Sequence, residues 1–241
     1  MRDLPAAVAG RPNRSAGPLL GLHTMTVNAV FFDAFGTLCD IGIKRQPFAQ
    51  LARFHPDRRR ARDLIMTQAL SLRDAAQELQ VQDVDLAMLE EDLVTELASI
   101  RLYPEVPELL ETLRRQGFRI GIVSNLAAPY AEPLLRLLPF EPDTQAWSFE
   151  VGHMKPDPRI FAWVCERLNV APHEALMVGD MFADDYAGAL ASGLNALHLD
   201  RREEARSKVA ATIRTLDEIL PALRVQSDFV SMGQTGSVGL S

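Results

Sequence analysis

The chain has 241 residues, 47% of them hydrophobic, and a formal net charge of −7. That length fits one large domain or a domain carrying an insertion. The acidic balance argues against a nucleic-acid or anionic-membrane partner, and no run approaches the apolar length of a membrane span.

Residues 1–26 are rich in Pro, Gly, Ala and Arg and are expected to be disordered, with Met25 as an alternative start. Pro18-Leu19-Leu20-Gly21-Leu22 is too short and too broken for a signal-peptide core. Then Ala29-Val30-Phe31-Phe32 runs straight into Asp33. So short and apolar a run reads as a strand buried on both faces. Gly36 and Thr37 turn the backbone at once. A long helical block is expected over about 43–100, with Leu86, Leu89, Leu93, Leu97 and Ile100 at helical spacing, and Leu64 or Ile65, Ala69 and Leu72 before them. No alternating strand pattern appears in it. Tyr103-Pro104 closes this block and opens a helix with Val106, Leu109, Leu110 and Leu113 on its apolar face, stopped at Gly117.

From there strand and helix alternate. Strands are expected over 118–123, 146–151, 175–178 and 194–199, and helices over 127–138, 158–168 and 183–192. Alternating βα units argue for a parallel sheet covered on both faces. Residues 27–38 and 104–225 then form an α/β core, residues 39–103 an inserted helical cap, and residues 226–241 a disordered tail. Cys39 and Cys165 are the two cysteines. Their scattered placement points to a reduced, cytoplasmic protein rather than a disulfide framework.

Polar residues fall at the ends of separate strands: Asp33, Ser124 and Asp180, with Lys155 after another. Parallel strands bring their carboxyl ends to one edge, so these residues should converge. The set suits phosphoryl transfer: an aspartate nucleophile, a hydroxyl and an ammonium for the phosphoryl oxygens, and carboxylates for Mg²⁺. Taken alone, Ser124-Asn125 equally fits a helix cap, and Lys155 before Pro156 an exposed loop lysine. Asp180 with Asp184 and Asp185 is a denser cluster, since such carboxylates repel unless solvated or bound to a cation. Arg58, Arg59, Arg60 and Arg62 read as a solvated face, with attraction of an anionic substrate as the alternative. His153 adjoins the Lys155 loop and reads as a structural or surface residue, with contact to a leaving group as the alternative.

Phe32-Asp33-Ala34-Phe35-Gly36-Thr37-Leu38, Val123-Ser124-Asn125, Lys155-Pro156-Asp157 and Val178-Gly179-Asp180 through Asp184-Asp185-Tyr186-Ala187-Gly188-Ala189 resemble, in order, the four motifs of the haloacid dehalogenase superfamily. The resemblance implies a Rossmann-like core with a helical cap inserted after the first strand. It implies Asp33 as nucleophile, Thr37, Ser124 and Asn125 against the transferred group, and Lys155 neutralising it. It also implies Mg²⁺ held by Asp33, Asp180 and the Phe35 carbonyl, with Asp184 or Asp185 in support. One position departs: most phosphatases of this superfamily carry a second aspartate where this chain has Phe35. Phenylalanine transfers no proton, and an aromatic there resembles the dehalogenase branch. That branch, however, usually lacks the Gly-Asp that this chain keeps at Gly179-Asp180. Three readings follow: a Mg²⁺-dependent hydrolase of small phosphorylated metabolites, a 2-haloacid dehalogenase using the same aspartate, or a weakly active protein that binds a phosphorylated ligand.

Overall fold

β1, Ala29–Phe32, lies at the centre of the protein because every one of its side chains is buried. Val30 and Phe32 pack into one apolar cluster, Ala29 and Phe31 into a second. This is the period-two signature of a strand covered on both faces. The computed structural model describes residues 27–202 and 211–223. The expected disordered end at 1–26 and tail at 226–241 lie outside the described residues.

After β1 come β2 (Cys39–Ile41), four helices α1 (Pro47–Arg53), α2 (Arg58–Thr67), α3 (Leu72–Glu78) and α4 (Leu86–Ala98), and β3 (Ile100–Leu102). The rest runs α5 (Val106–Arg115), β4 (Arg119–Ser124), α6 (Ala131–Leu135), β5 (Thr144–Trp147), α7 (Ser148–Val151), α8 (Pro158–Leu168), β6 (Ala175–Gly179), α9 (Gly188–Ala191), β7 (Asn195–Leu199) and β8 (Thr212–Ile213). Six strands form one parallel sheet in the order β5-β4-β1-β6-β7-β8. Ile160, Phe161, Val164 and Leu168 of α8 cover one face. Leu109, Leu110 and Leu113 of α5 join the cluster on the other, which continues into Phe48, Leu51, Ile65, Leu72 and Leu89 of the inserted helices. Among the described residues no helix is long and apolar enough to cross a membrane.

Five expectations need correction. The block over 43–100 is not purely helical up to Ile100. α4 stops at Ala98, and Ile100 opens β3, which pairs antiparallel with β2. Ser99 ends the helix: its hydroxyl donates to the Glu96 carbonyl (2.7 Å) and accepts from the Ile43 amide (3.0 Å). Ala69, counted on a helical stripe, is exposed between α2 and α3. The helix over 127–138 is a 3₁₀ turn, Ala128–Tyr130, followed by the short α6. Pro129 and Pro133 remove two amide donors there. The strand over 146–151 is β5 shifted toward the N-terminus, and Ser148–Val151 coils instead. The buried Ser148 hydroxyl donates to the Met66 carbonyl (2.6 Å) and accepts from the Leu126 amide (3.0 Å), which draws the chain off the sheet. The helix over 183–192 is a π-helical turn, Phe182–Ala187, running into α9.

Gly121 in β4 faces Phe31: a Cβ there would sit 2.8 Å from the Phe31 ring and 3.1 Å from the Thr144 methyl. Gly121→Ala should therefore destabilise the protein by about 1–3 kcal/mol through overpacking. Adding Phe31→Leu should recover part of that loss. Urea unfolding of the two single variants and the double variant checks both the cost and the coupling.

Candidate active site

The sheet register places the sequence motifs at one edge. Phe32 pairs with both Ile122 and Val178, so β1, β4 and β6 end within two residues of one another. Asp33 follows at once, its amide donating to the Val178 carbonyl (2.9 Å). Ser124 ends β4 and Asp180 follows β6.

Lys155 is buried among them. Its ammonium donates to Asp33 Oδ1 (2.7 Å), Asp185 Oδ1 (2.6 Å) and the Val123 carbonyl (2.6 Å). It is no exposed loop lysine: its side chain is 2% accessible. Ser124 Oγ donates to the same Asp33 Oδ1 at 3.1 Å. Nor is Ser124-Asn125 a cap, because the next turn starts from Ala127 without a side-chain cap. Asn125 is spent on the Lys155 main chain. Its Oδ1 accepts from the Lys155 amide (2.7 Å) and its Nδ2 donates to the Lys155 carbonyl (2.9 Å). Asn125 thus holds the loop that carries the ammonium. Its Nδ2 lies 3.4 Å from Asp184 Oδ2, so Asp184 sits behind Asn125, and of the two acidic neighbours it is Asp185 that turns inward.

Asp185 lies in the π-helical turn, and two bonds to Met181 hold it inward. The Asp185 amide reaches back to the Met181 carbonyl (2.8 Å), and Asp185 Oδ2 accepts from the Met181 amide (2.9 Å). π-turns often mark functional sites. Two glycines make room for the carboxylates: a methyl on Gly179 would land on the Asp185 carboxylate, and one on Gly36 on that of Asp180. The contact at Gly36 also sets the Phe35–Gly36 peptide beside Asp180. Gly36 further needs its positive φ of 95° for the turn.

Oxygens of Asp33, Asp180 and Asp185 lie within 4.8 Å of one another. Three carboxylates face one ammonium, so two negative charges are left over when all are ionised. Burial pulls the Lys155 pKa down, but Asp185 and Asp33 outweigh it and keep the ammonium charged. The surplus charge appears on the other two acids. Burial first, then the Asp33 charge, pushes Asp180 up to about 6. Asp185 is raised by burial as well, with Asp33 adding to it and Lys155 opposing. Among the described residues Asp180 Oδ1 is buried with no hydrogen-bond partner. An all-oxygen donor set with an unpartnered carboxylate oxygen and surplus negative charge fits a hard divalent cation such as Mg²⁺. Thr37 Oγ1 is likewise buried and unpartnered.

A cleft of about 660 Å³ opens on this edge, lined in part by Phe35, Gly36, Tyr103, Asp180 and Phe182. Phe35 itself is half-buried and meets the Tyr130 ring edge-on at 5.8 Å. The four arginines of the basic run, Arg58, Arg59, Arg60 and Arg62, are exposed and stand outside the cleft lining. Neither cysteine suits nucleophilic work. Burial pushes the Cys165 thiol up to about 11, and burial with the Asp33 charge pushes Cys39 higher still.

Two residues at this edge escaped the sequence reading. His198, in register with Gly179, is buried and binds the Asp180 carbonyl through Nε2 (3.1 Å). A carbonyl only accepts, so the proton sits on Nε2. Arg201 binds the Gly36 and Thr37 carbonyls. Both lie at the end of β7, and the strand-end rule that found Asp33 and Asp180 points to them too.

The raised Asp180 gives a signed pH dependence. A carboxyl whose pKa rises from 3.8 to about 6 on folding binds its proton more tightly in the folded state. Its stabilising contribution is full below the lower value and lost as pH rises through the upper one. Chelator-treated protein should therefore lose stability across that window. Asp180→Asn should flatten the loss and melt higher than wild type at neutral pH. Thermal melting of both proteins across the window checks it.

A model of the haloacid dehalogenase-like hydrolase family matches residues 27–193. The glyceraldehyde 3-phosphate phosphatase of Methanopyrus kandleri is 38% identical over 109 residues, 44% of this chain and 47% of that one, so the match spans about half of that relative. The (S)-2-haloacid dehalogenase 4A of Burkholderia cepacia is 30% identical over 145 residues, 56% of this chain and 61% of the relative. The crystal structure of an HAD phosphatase from Thermococcus onnurineus superposes with a TM-score of 0.58 at 26% identity, covering 82% of this chain and 98% of that one. With the family match running from the start of β1 past α9, the chain belongs to the haloacid dehalogenase-like hydrolases.

Proposed function

We propose that this hydrolase removes phosphate from small phosphorylated metabolites with the help of Mg²⁺, through an aspartyl-phosphate on Asp33. The observation that carries the reading is the cluster of Asp33, Asp180 and Asp185 facing a single ammonium, with Asp180 Oδ1 unpartnered. Asp33, Asp180 and the Phe35 carbonyl would hold the cation, with Asp185 completing the acidic set. Bound there, it would offset the negative charge of the phosphoryl oxygens.

The chain's own groups divide the remaining work. Lys155 and Ser124 both engage Asp33 Oδ1, which leaves Oδ2 as the attacking oxygen. Lys155 remains an ammonium and faces the developing charge. The Thr37 hydroxyl, buried without a partner, is available to a phosphoryl oxygen. Asn125 keeps Lys155 in place through its main chain. Residues 39–103 serve as a cap that excludes water from the acyl-phosphate. The two buried free cysteines support a reduced, cytoplasmic setting. Phosphatases among the chain's relatives support the substrate class.

Phe35 favours a second reading, displacement of halide from a 2-haloacid by the same Asp33, and a dehalogenase is among the relatives. Against it, a site with surplus negative charge repels a carboxylate substrate.

A panel of aryl and alkyl phosphomonoesters with and without Mg²⁺, beside 2-haloacids without it, separates the two. Phosphate release that requires Mg²⁺ is the expected result, and halide release without metal would reverse the assignment. Asp33→Asn should bring turnover to the no-enzyme background with no loss of thermal stability. A variant that still turns over at the wild-type rate would remove Asp33 from the mechanism.

Phe35→Asp tests what the site lacks. Acid–base help is worth about 10²–10⁴-fold, and the variant should recover part of it, more on alkyl than on aryl phosphates, whose leaving groups need less protonation. It should also cost about 0.5–1.5 kcal/mol from the lost ring contact with Tyr130. Steady-state kinetics on both substrate types, with melting alongside, reads the two effects separately.

A further inference from the structure

Arg201 stands two residues beyond β7, and each of its three side-chain nitrogens has a different acceptor. Nε donates to the Gly36 carbonyl (3.3 Å), Nη2 to the Thr37 carbonyl (2.8 Å), and Nη1 to Glu105 Oε1 (2.6 Å). The guanidinium carbon lies 3.7 Å from the centre of the Tyr103 ring. Arg201 and Glu105 are largely buried, with side-chain accessibilities of 18% and 17%. A planar fork filled at every nitrogen and backed by an aromatic face is held in one geometry.

The two carbonyls belong to the turn that follows Asp33. That turn has its own internal bonds, Leu38 and Cys39 amides to the Ala34 carbonyl (2.8 and 3.0 Å) and the Gly36 amide to the Cys39 carbonyl (2.7 Å). These shape the turn but do not anchor it to the rest of the protein. The Tyr103 amide, bonded to the Leu38 carbonyl (3.0 Å), anchors its far end. Arg201 anchors its middle, where Gly36 lies on the Asp180 carboxylate and Thr37 carries its unpartnered hydroxyl. Its other contacts, Tyr103 and Glu105, form the connection by which the chain returns from the inserted helices to the core.

We propose that Arg201 is a positioning residue that fixes the Phe35–Thr37 turn, and with it the Phe35 carbonyl and the Thr37 hydroxyl, and braces that turn against the return connection through Glu105. The catalytic part of this inference rests on the phosphatase reading; the anchoring of the turn does not. Misplacing such a turn by about 1 Å is enough to cost about 10²-fold in rate.

The test compares wild type with Arg201→Gln, Arg201→Lys and Glu105→Gln, using Arg73→Gln, which breaks the exposed pair with Glu90, as the control. Four quantities are read: melting temperature, amide exchange at Leu38 and Cys39 in metal-free protein, calorimetric Mg²⁺ affinity without substrate, and kcat and KM on an aryl phosphate. In Arg201→Gln, Leu38 and Cys39 should exchange faster while β6 is unchanged. Mg²⁺ should bind more weakly, and kcat should fall by about 10–100-fold with KM nearly constant. Arg201→Lys, which cannot reproduce the fork, should fall between Gln and wild type. Glu105→Gln should show a smaller loss of the same kind, and Arg73→Gln none. A rise in KM with kcat kept would make Arg201 a substrate-binding group instead. Exchange that quickens everywhere, in step with the melting temperature, would reduce it to a general stabiliser. Should wild type neither bind Mg²⁺ nor release phosphate, the phosphatase reading fails. The exchange measurement then decides alone, and unchanged Leu38 and Cys39 amides in Arg201→Gln overturn the anchor.

Discussion

The Lys155 ammonium, held between Asp33 and Asp185 in a nearly dry site, is the interaction on which the rest of the site depends. A charge taken out of water must be paired and hydrogen-bonded or it moves its protonation state. Lys155 meets that condition with two carboxylates and the Val123 carbonyl. The carboxylates do not, because Asp180 adds a third and, among the described residues, Lys155 is the ammonium that Asp33 and Asp185 share. The fold thus builds a site whose electrostatics are incomplete by design of its geometry. The parallel sheet forces the strand ends together, and two glycines let the carboxylates approach closely.

A further buried acid, Glu96, explains how the site accommodates Phe35. Glu96 ends the inserted helices and is buried, with its Oε2 accepting from the Arg45 and Gln46 amides and its Oε1 from the Tyr130 hydroxyl (2.9 Å). Burial and the neighbouring Glu96 push the Tyr130 phenol well above its ordinary range, so it stays a donor. The Tyr130 ring in turn packs edge-on against Phe35 and close to Phe48 of α1. Phe35 is therefore part of the apolar contact between the turn after Asp33 and the inserted helices. At this position the ring gives packing. Arg201 binds the same turn at the Gly36 and Thr37 carbonyls and joins it to Tyr103 and Glu105. Both connections of the insertion thus bear on the residues next to Asp33.

Much of this was legible in the sequence for definite physical reasons. A run such as Ala29–Phe32 can be satisfied only by burial on both faces, and it was found so. Alternation of strand and helix led to the parallel sheet, and the rule that ligands gather at strand carboxyl ends picked out Asp33, Ser124 and Asp180. The misjudged elements have different causes, tertiary at Ser148 and local at Ser99 and at Pro129 and Pro133. Ser148 leaves β5 because its hydroxyl reaches Met66 across the fold, and Ile100 joins a strand because Ser99 stops α4. Strands of three residues, β2 and β3, are too short to show any period.

What the sequence by itself determined is the set of chemical groups and the edge at which they gather, because strand burial and chain order suffice for both. Only the tertiary structure decided how the groups divide their contacts. Asn125 turns to the Lys155 main chain, Asp185 rather than Asp184 faces inward through a π-helical turn, and Asp180 keeps an oxygen without a partner. His198 and Arg201, separated from Asp33 by most of the chain, meet the site only because β7 lies beside β6 in the sheet. Side-chain hydrogen bonds form between groups that the fold brings within about 3 Å, and no spacing along the chain encodes that distance.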